Sequence, residues 1–348
     1  MSYTSPHINS KALLALLFSV ISLGMLAGCD NNHSTIEKDL NTYLIRIANV
    51  QQADRLPSPQ TLSQTLPDKR DIYLTIPQLT LGLLDSYELR KCQLFQLIAQ
   101  RNSSLGRVQD EFRGFDYEIQ LLHGLRECIE NSDISSNVRQ QLINIADIKQ
   151  QDIIKHWHNL LYTSVAMRAQ LTAHTWLPTQ LHTSSLQQAL IALNNTDQVV
   201  KSHQLDSNHS PLPMIAMTPY QEVLEKQRIL GQLKFSLVNS TLWLTTLTQQ
   251  LETNDHRILC GPHQDRTRLN YLLNVFHLYY LDKVQPALAQ IDSVYLQLEP
   301  QLALFSPSDK SPPIFPIQQA HENFREATLA HVEYWRTLFQ RCGVTVGH

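Results

Sequence analysis

Apolar residues recur along most of the chain at intervals of three and four positions, which is the spacing of one face of an α-helix. Leu40, Leu44 and Ile47 form the first such stripe. Proline-containing segments interrupt the pattern at 56–78, 202–217 and 306–315. The pattern predicts helices over 34–56, 79–100, 107–131, 133–177, 184–201, 218–254, 265–305 and 316–342.

Two of the predicted helix starts carry local capping chemistry. Ser34 is followed three residues later by Glu37, the spacing at which two side chains satisfy each other's free backbone amides. Thr218 is the predicted cap of a later helix, with Pro219 as its first residue and Gln221 in the partner position. These signals predict where the two helices begin.

Leucine-rich segments with little glycine predict an all-α protein. Only 10 of the 348 residues are glycine, and helices of about 30 residues or more would extend roughly 45 Å. Because long helices joined by short loops pack antiparallel, we expect an elongated bundle of long antiparallel helices with proline-rich surface loops over 34–348. Pro286 should kink one helix, and Gly343 should end the last. A split into two helical halves near 202–217 is the alternative.

The N-terminus has the pattern of an export signal. Lys11 precedes an apolar run at 12–28, which leads into the sequence LAGC at 26–29. This ending resembles the lipobox of bacterial lipoproteins, and the resemblance implies that residues 1–28 are removed and that the Cys29 thiol is lipidated. A transmembrane helix is the alternative, but the run is shorter than the roughly 20 apolar residues that span a bilayer.

Lipidation of Cys29 would hold the protein on a membrane outside the cytoplasm. Each buried methylene contributes about 0.8 kcal/mol, and a lipoprotein cysteine carries several chains, so the attachment would be permanent. Residues 29–33 would form a short polar tether. Asp30 resembles the signal that retains lipoproteins in the inner membrane of enteric bacteria, which favours an inner-membrane protein facing the periplasm.

The four remaining cysteines predict two disulfides, because an even number of cysteines in an oxidising compartment tends to pair. Four cysteines allow three pairings, among which the sequence alone does not decide. We favour Cys92–Cys128 and Cys260–Cys342. The first pair would join successive helices, and the second would join the last two long helices near one end.

Two alternatives stand beside these disulfides. The first is four buried free thiols. The second is a metal site near Cys260, because zinc accepts the ligand types of His256, His263, Asp255 and Asp265, which lie close to it in sequence. The spacing matches no closed zinc motif, and a disulfide is the better use of Cys260, so no metal site is expected.

The charge balance argues against nucleic acid as a partner. The chain has 28 lysines and arginines against 31 acidic residues, and removal of 1–28, whose only charged residue is Lys11, leaves 27 − 31 = −4. The sequence contains no glycine-rich phosphate loop, GxSxG elbow or HExxH motif. It therefore identifies no catalytic residue and no cofactor.

The best candidate for a special site is the polar segment 85–118, in which charged side chains alternate with apolar ones. Its candidate binding residues are Arg101, Asn102, Arg107, Asp116 and Glu118. The favoured interpretation is a buried polar network that stabilises a turn, with arginine paired to carboxylate. The alternative is a binding site for an anionic ligand or for a carboxylate of a partner.

An aromatic-rich stretch later in the chain also has two interpretations. Its aromatic residues are Tyr271, Phe276, Tyr279, Tyr280 and Tyr295. Packing between long helices is the favoured interpretation. The alternative is a ligand groove between helices.

The segment between Cys92 and Cys128 resembles a known family. A leucine-rich helix with a cysteine is followed by Arg-Asn-Ser-x-Leu-Gly at 101–106, by Asp-Tyr-Glu at 116–118 and by a second cysteine. This signature is similar to a family of gammaproteobacterial lipoproteins known as a domain of unknown function. The resemblance implies an envelope lipoprotein and supplies no activity or catalytic residue.

These observations favour a membrane-anchored, non-enzymatic lipoprotein that binds an envelope partner protein or assists an envelope complex. One alternative is a small-molecule-binding lipoprotein, and the other is an enzyme whose residues are scattered over several helices. Partner binding predicts an exposed apolar patch, and ligand binding predicts a closed pocket of roughly 300–1,000 Å³. An enzyme predicts a pocket with convergent titratable groups of shifted pKa.

Overall fold

The computed structural model of the chain describes most of the sequence that follows the predicted signal and tether. The described residues are 35–77, 87–92, 94–104, 106–205, 212–261, 263–306 and 313–345. Cys29, Asp30, the signal at 1–28 and the tether at 29–33 lie outside them, so the expectations for these positions stay predictions.

Over the described residues the protein is all-α, as predicted, and one isolated antiparallel bridge joins Gln64 to Ala173. The α-helices are α1 (Thr35–Gln51), α2 (Lys69–Ile72), α3 (Leu94–Asn102), α4 (Glu111–Glu130), α5 (Ser136–Thr163), α6 (Val165–Leu171), α7 (Ser184–Leu205), α8 (Gln221–Lys226), α9 (Ile229–Thr253), α10 (Thr267–Val275), α11 (Gln285–Leu298) and α12 (Ile317–Cys342). A π-helix spans Phe276–Val284, and 3₁₀ turns span Leu89–Cys92, Gly106–Val108, Thr218–Tyr220, Asp255–Arg257 and Glu299–Phe305.

Local signals at the chain's two terminal helices agree with the structure. The first helix ends at Gln51, before Pro57, as expected. The last helix begins directly after Pro316 and ends at Gly343, whose φ of 60° lies in the left-handed region that glycine adopts without strain. These ends depend on a few neighbouring residues, so the sequence suffices to predict them.

Three segments, each predicted as one long helix, are divided in the structure. The helix predicted over 133–177 divides at Ser164, whose hydroxyl accepts a backbone hydrogen bond three residues on and so caps α6. The helix predicted over 218–254 is divided between α8 and α9. The helix predicted over 265–305 contains the π-helix, which ends just before Pro286, a residue that cannot donate a helical hydrogen bond.

The helix α9 lies inside the main hydrophobic cluster of the protein. Most of its residues are buried, and its exposed positions, such as Thr245, Gln249 and Glu252, recur at three- and four-residue intervals and form one narrow solvent-facing stripe. It packs against α1, α6, α11 and α12. The same cluster contains residues from both sides of segment 202–217, such as Leu193 and Leu244.

A second, smaller hydrophobic cluster lies apart from the first, where α3 packs against the adjoining ends of α4 and α5. A disulfide between Cys92 and Cys128 lies within it, with the two Cα atoms 5.2 Å apart. A second disulfide joins Cys260, in the loop after α9, to Cys342 at the end of α12, with a Cα separation of 5.1 Å. Both pairings are the ones that the sequence analysis favoured.

An extended segment at 53–77, which we call the strap, crosses the helices and is held by buried side-chain amides. Asn239 accepts a hydrogen bond from the backbone N–H of Leu62 at 2.8 Å and donates to its carbonyl at 3.1 Å. Asn159 does the same at Leu74, at 2.9 and 2.8 Å. Each amide supplies both bonds that a neighbouring strand would supply.

No helix within the described ranges is both long enough and apolar enough to cross a bilayer. The antiparallel packing, the elongated outline and the proline-rich surface loops expected from the sequence stay predictions.

Candidate functional site

The candidate binding residues between 101 and 118 separate into local arrangements instead of converging on one site. Arg101 donates hydrogen bonds to the Gly106 carbonyl at 2.6 Å and to Gln109 Oε1 at 2.7 Å, and it lies over the ring of Tyr117 at 5.4 Å. A Cβ at Gly106 would lie 2.3 Å from the carbonyl oxygen of Gln100, so only glycine fits this turn. Arg101 therefore stabilises the turn that it begins.

Asp116 caps a helix start that lies 101 residues away in sequence. Its carboxylate accepts hydrogen bonds from the backbone N–H of Met217 at 2.6 Å and from that of Thr218 at 3.0 Å. The turn begins at Thr218, but Met217 occupies the cap position and a distant carboxylate satisfies the first amides, so the predicted capping role of Thr218 is wrong. Asp116 is 8% exposed, which leaves little room for a ligand.

Glu118 belongs to a different, partly buried charge cluster on α4 and α5. Its carboxylate lies 2.9 Å from Lys149 Nζ and 3.7 Å from His156 Nε2. Burial lowers the pKa of His156, and the nearby Glu118 carboxylate offsets part of that effect. The cluster joins the two helices and explains why a carboxylate is tolerated in a buried position.

The two other residues of the predicted set add no common site. Asn102 is the exposed last residue of α3. The side chain of Arg107 lies outside the described part of the chain. Arg101 stabilises the turn, as expected, but its partners are a carbonyl and an amide instead of a carboxylate, and Asp116 and Glu118 belong to separate arrangements.

Two of the candidate metal ligands at and near Cys260 form other bonds in the structure. Cys260 is bonded to Cys342, and Asp255 accepts hydrogen bonds from Tyr334 and from Arg341. A search of the described residues finds no group of three or more side chains that could hold a metal ion.

A buried histidine network joins three helices. The ring of His331 lies within hydrogen-bond distance of Tyr43 Oη at 3.2 Å and of Thr248 Oγ1 at 3.0 Å, and Trp335 donates to it at 3.2 Å. Burial lowers the pKa of His331 to about 3, so the ring is neutral at physiological pH. Since His331 is 0% exposed, this network stabilises the core and is closed to ligands.

An open depression lies between α1 on one side and α10 with the π-helix on the other, and we call it the groove. Its volume is about 580 Å³. Val50 and Tyr279 line its inner part, and Tyr271 and Leu278 stand at its edge with 58% and 55% of their surface exposed. Exposure of two large apolar side chains beside one opening is the feature expected of a binding surface.

Two arginines add positive charge to the groove. Arg46 lies over the ring of Tyr279, with its guanidinium carbon 5.7 Å from the ring centre. Arg268 donates to Gln52 Oε1 at 2.5 Å. Among the described residues, neither guanidinium forms an ion pair with a carboxylate. The acidic residue of the groove, Asp265, is engaged by Thr267, whose hydrogen bonds hold the pKa of that carboxyl below its usual value.

The structure divides the aromatic stretch noted in the sequence between core and groove. Phe276, Tyr280 and Tyr295 are buried, as core packing requires. Tyr271 and Tyr279 line the groove, which corresponds to the alternative interpretation.

Sequence reasoning missed Leu278 and the two arginines of the groove. Tyr271 and Leu278 are seven positions apart, which places them on one face two turns apart and beside the buried stripe of the same helix. A second apolar stripe beside a buried one indicates an exposed apolar surface, so the sequence contains a signal for Leu278. Arg46 gives no such signal, because an exposed arginine on a helix is ordinary.

A smaller recess of about 230 Å³ opens between α4 and α5. Its lining includes His123, Arg126, Glu130 and Asp147. Its volume is below the roughly 300–1,000 Å³ of typical ligand pockets, and its charges are of both signs. The groove is therefore the stronger candidate.

Comparison with known proteins yields one match. The sequence profile of a family described as "Protein of unknown function (DUF3080)" matches residues 40–346, which include the groove and both disulfides. No curated protein and no solved structure matches the chain.

Proposed function

This chain belongs to the DUF3080 family of proteins of unknown function, and from that premise we propose that it is a lipid-anchored, periplasm-facing lipoprotein that acts by binding a partner protein of the cell envelope. The observation that carries the proposal is the sequence LAGC at 26–29, at the end of an apolar run. Cys29 stands six positions before Thr35, where the first described helix begins. The anchor would thus lie close to the folded body.

Two disulfides support a location outside the cytoplasm. Pairs of cysteines persist as disulfides in oxidising compartments and are kept reduced in the cytosol. Cys92–Cys128 and Cys260–Cys342 use all four cysteines that follow Cys29. Within this proposal, Asp30 favours the inner membrane, and density-gradient separation of the two membranes measures that preference.

The form of the groove supports binding of a partner protein over binding of a small molecule. The groove is open, and its edge carries the exposed side chains of Tyr271 and Leu278. Ligand pockets bury most of a small molecule's surface, which an open depression does not do. A small-molecule site between helices is the second candidate, because the groove volume of about 580 Å³ lies in the range of such sites.

Replacement of the anchor cysteine tests the location. Cys29→Ala removes the thiol that receives lipid, so we expect the chain to stay unprocessed or to leave the detergent fraction, and labelling with a fatty-acid analogue to be lost. Asn31→Ala, which replaces a polar residue two positions after Cys29, is the matched control and should behave as the wild type. Normal attachment and labelling of Cys29→Ala would contradict the lipoprotein assignment.

Crosslinking tests the binding role separately. The tagged, natively lipidated protein is treated in intact cells with an amine-reactive crosslinker and purified from membranes. We expect an envelope protein to be recovered in stoichiometric amount. Recovery of the protein alone would contradict partner binding and would direct the search to bound small molecules by mass spectrometry.

A further inference from the structure

We propose that the groove binds an acidic segment of the partner protein, and that this segment also carries at least one apolar side chain. The inference deepens the partner-binding function proposed above and rests on it. Four features of the groove support this occupant: its apolar edge, its charge, its side-chain amides and its position relative to the predicted anchor.

The exposed apolar side chains of the groove favour an occupant that has an apolar side chain of its own. Tyr271 and Leu278 stand at the edge with more than half of their surface exposed, and Val50 of α1 contributes to the lining on the other side. Covering large exposed side chains is favourable at about 25 cal/mol per Å² of apolar surface. An exposed tyrosine also contributes a rigid contact surface at low entropic cost.

The positively charged side chains of the groove favour an occupant that has carboxylates. The groove lining carries two guanidinium groups, those of Arg46 and Arg268, against the single carboxylate of Asp265, which Arg268 attracts. Lys283 also lies over the ring of Tyr279, 5.4 Å from the ring centre, and pairs with Asp39 at 3.9 Å. The whole chain has a formal net charge of −3, so it repels an acidic segment at long range. The arginines of the groove attract such a segment, so the groove would bind it in preference to the rest of the surface.

The side-chain amides of the groove suit an extended peptide backbone. Asn49 and Asn274 both line it, and a carboxamide can donate to a peptide carbonyl and accept from a peptide N–H. The strap shows the same chemistry within this protein, since Asn239 binds both backbone groups of Leu62.

The position of the groove favours a protein segment over a lipid headgroup. Cys29 precedes the N-terminal end of α1, whereas the groove lies along the C-terminal half of α1, from Arg46 to Gln52. At 1.5 Å per residue, Arg46 lies roughly 16 Å beyond Thr35 along the helix. The groove is therefore set back along the helix from the end that is nearer to the predicted anchor.

A photoreactive amino acid at position 271 tests the proposal in the natively lipidated protein in intact cells. We expect ultraviolet light to join position 271 to a second protein, and peptide mapping by mass spectrometry to place the crosslink in a segment with net negative charge and an apolar residue. A photoreactive residue at position 329 is the control, because Leu329 is 68% exposed and does not line the groove.

Charge reversal then tests the arginines. We expect Arg46→Glu with Arg268→Glu to lower the crosslink yield at position 271 about tenfold, and Arg46→Glu alone to lower it about threefold. Arg90→Glu is the matched control, since Arg90 also lies over aromatic rings, 4.7 Å from those of Tyr87 and Phe95, and should leave the yield unchanged.

The single variant keeps the test valid if the double variant misfolds. Arg268 donates to Gln52 and to the carbonyl of Arg257, so its loss affects packing, whereas the Arg46 side chain lies over the ring of Tyr279 and forms no hydrogen bond with a described residue. Thermal unfolding followed by circular dichroism shows which variants retain the wild-type fold.

The outcomes separate this inference from the function on which it rests. If amine-reactive crosslinking recovers a partner but position 271 does not react with it, the groove proposal is wrong and the binding function stands. Recovery of no partner by either method overturns both. A crosslink to lipid, to a second copy of this chain or to a segment without net negative charge, or a yield unaffected by Arg46→Glu, overturns the groove proposal alone.

Discussion

At the scale of single residues, several polar side chains inside this protein are stabilised by a specific partner that lies far away in sequence. Asp116 satisfies two backbone amides at the start of a distant helix turn, and Glu118 pairs with Lys149. The sequence indicates that these residues are unusual for an apolar helix face. It does not indicate their partners, because Met217 is 101 positions from Asp116.

His331 is the residue whose environment makes stability depend on pH. In the native protein burial lowers its pKa to about 3, whereas in the unfolded chain it titrates near 6.5. Below pH 6.5 the unfolded state therefore binds a proton that the native state does not bind. The free energy of unfolding therefore has its full value above about pH 6.5. It falls by about 1.4 kcal/mol for each pH unit between roughly 6 and 3.

His331→Gln should remove this pH dependence. Urea unfolding at pH 7.5 and at pH 4.5 measures the loss of unfolding free energy, which we expect to be about 2.7 kcal/mol greater for the wild type than for His331→Gln. His174→Gln, at an exposed position, is the control and should keep the wild-type dependence. Equal losses in the wild type and in His331→Gln would contradict the assignment.

At the scale of elements, the strap at 53–77 shows how a segment that is extended apart from the single turn of α2 is held on an all-α body. Its backbone pairs with the side chains of Asn239 and Asn159 and with the backbone of Ala173. Proline punctuation in the sequence predicts that this segment is extended. Its partners depend on which helices lie beneath it, which local patterns do not reveal.

Asn239→Ala should release the part of the strap around Leu62. The change removes the acceptor and the donor that bind the two backbone groups of Leu62, at a cost of roughly 1–3 kcal/mol. We expect faster cleavage by a nonspecific protease within 53–66, with little change elsewhere. Asn323→Ala, at an exposed position on α12, is the control. Unchanged cleavage of the strap in Asn239→Ala would show that these bonds do not hold it.

The π-helix is the second element that tertiary context shapes. Pro286 in the sequence predicts a disturbance of the helix, and the structure resolves it as nine residues of wider turn, Phe276–Val284, ahead of the proline. This segment carries Leu278 and Tyr279 to the groove while Phe276 and Tyr280 stay in the core.

At the scale of the whole molecule, the hydrophobic interior consists of a large cluster and a small one. The small cluster is built from α3 and the adjoining ends of α4 and α5, and Cys92–Cys128 lies within it. A cluster of this size buries little apolar surface, so the crosslink supplies a large share of its stability.

Removal of the Cys92–Cys128 bond should loosen the small cluster selectively. Closing a loop of 36 residues contributes roughly 4 kcal/mol in the chain-entropy estimate. Hydrogen exchange of Cys92→Ala/Cys128→Ala should therefore accelerate in α3 and in the adjoining ends of α4 and α5, and stay near wild type in α9.

The other disulfide provides the comparison. Cys260→Ala/Cys342→Ala should accelerate exchange near the end of α12 and leave the small cluster protected. An even increase over the whole chain in either double variant would show that the protein unfolds as one unit without separate clusters.

The sequence by itself determined the features that depend on near neighbours. The three- and four-residue spacing predicted the all-α class, Pro316 and Gly343 marked the ends of the last helix, and LAGC at 26–29 carries the prediction of a lipid anchor. Tertiary structure alone decided which distant groups meet. The cap from Asp116, the amide that binds Leu62 and the groove between α1 and α10 each join residues separated by a hundred positions or more, and such contacts follow from packing of the whole chain, which no local pattern encodes.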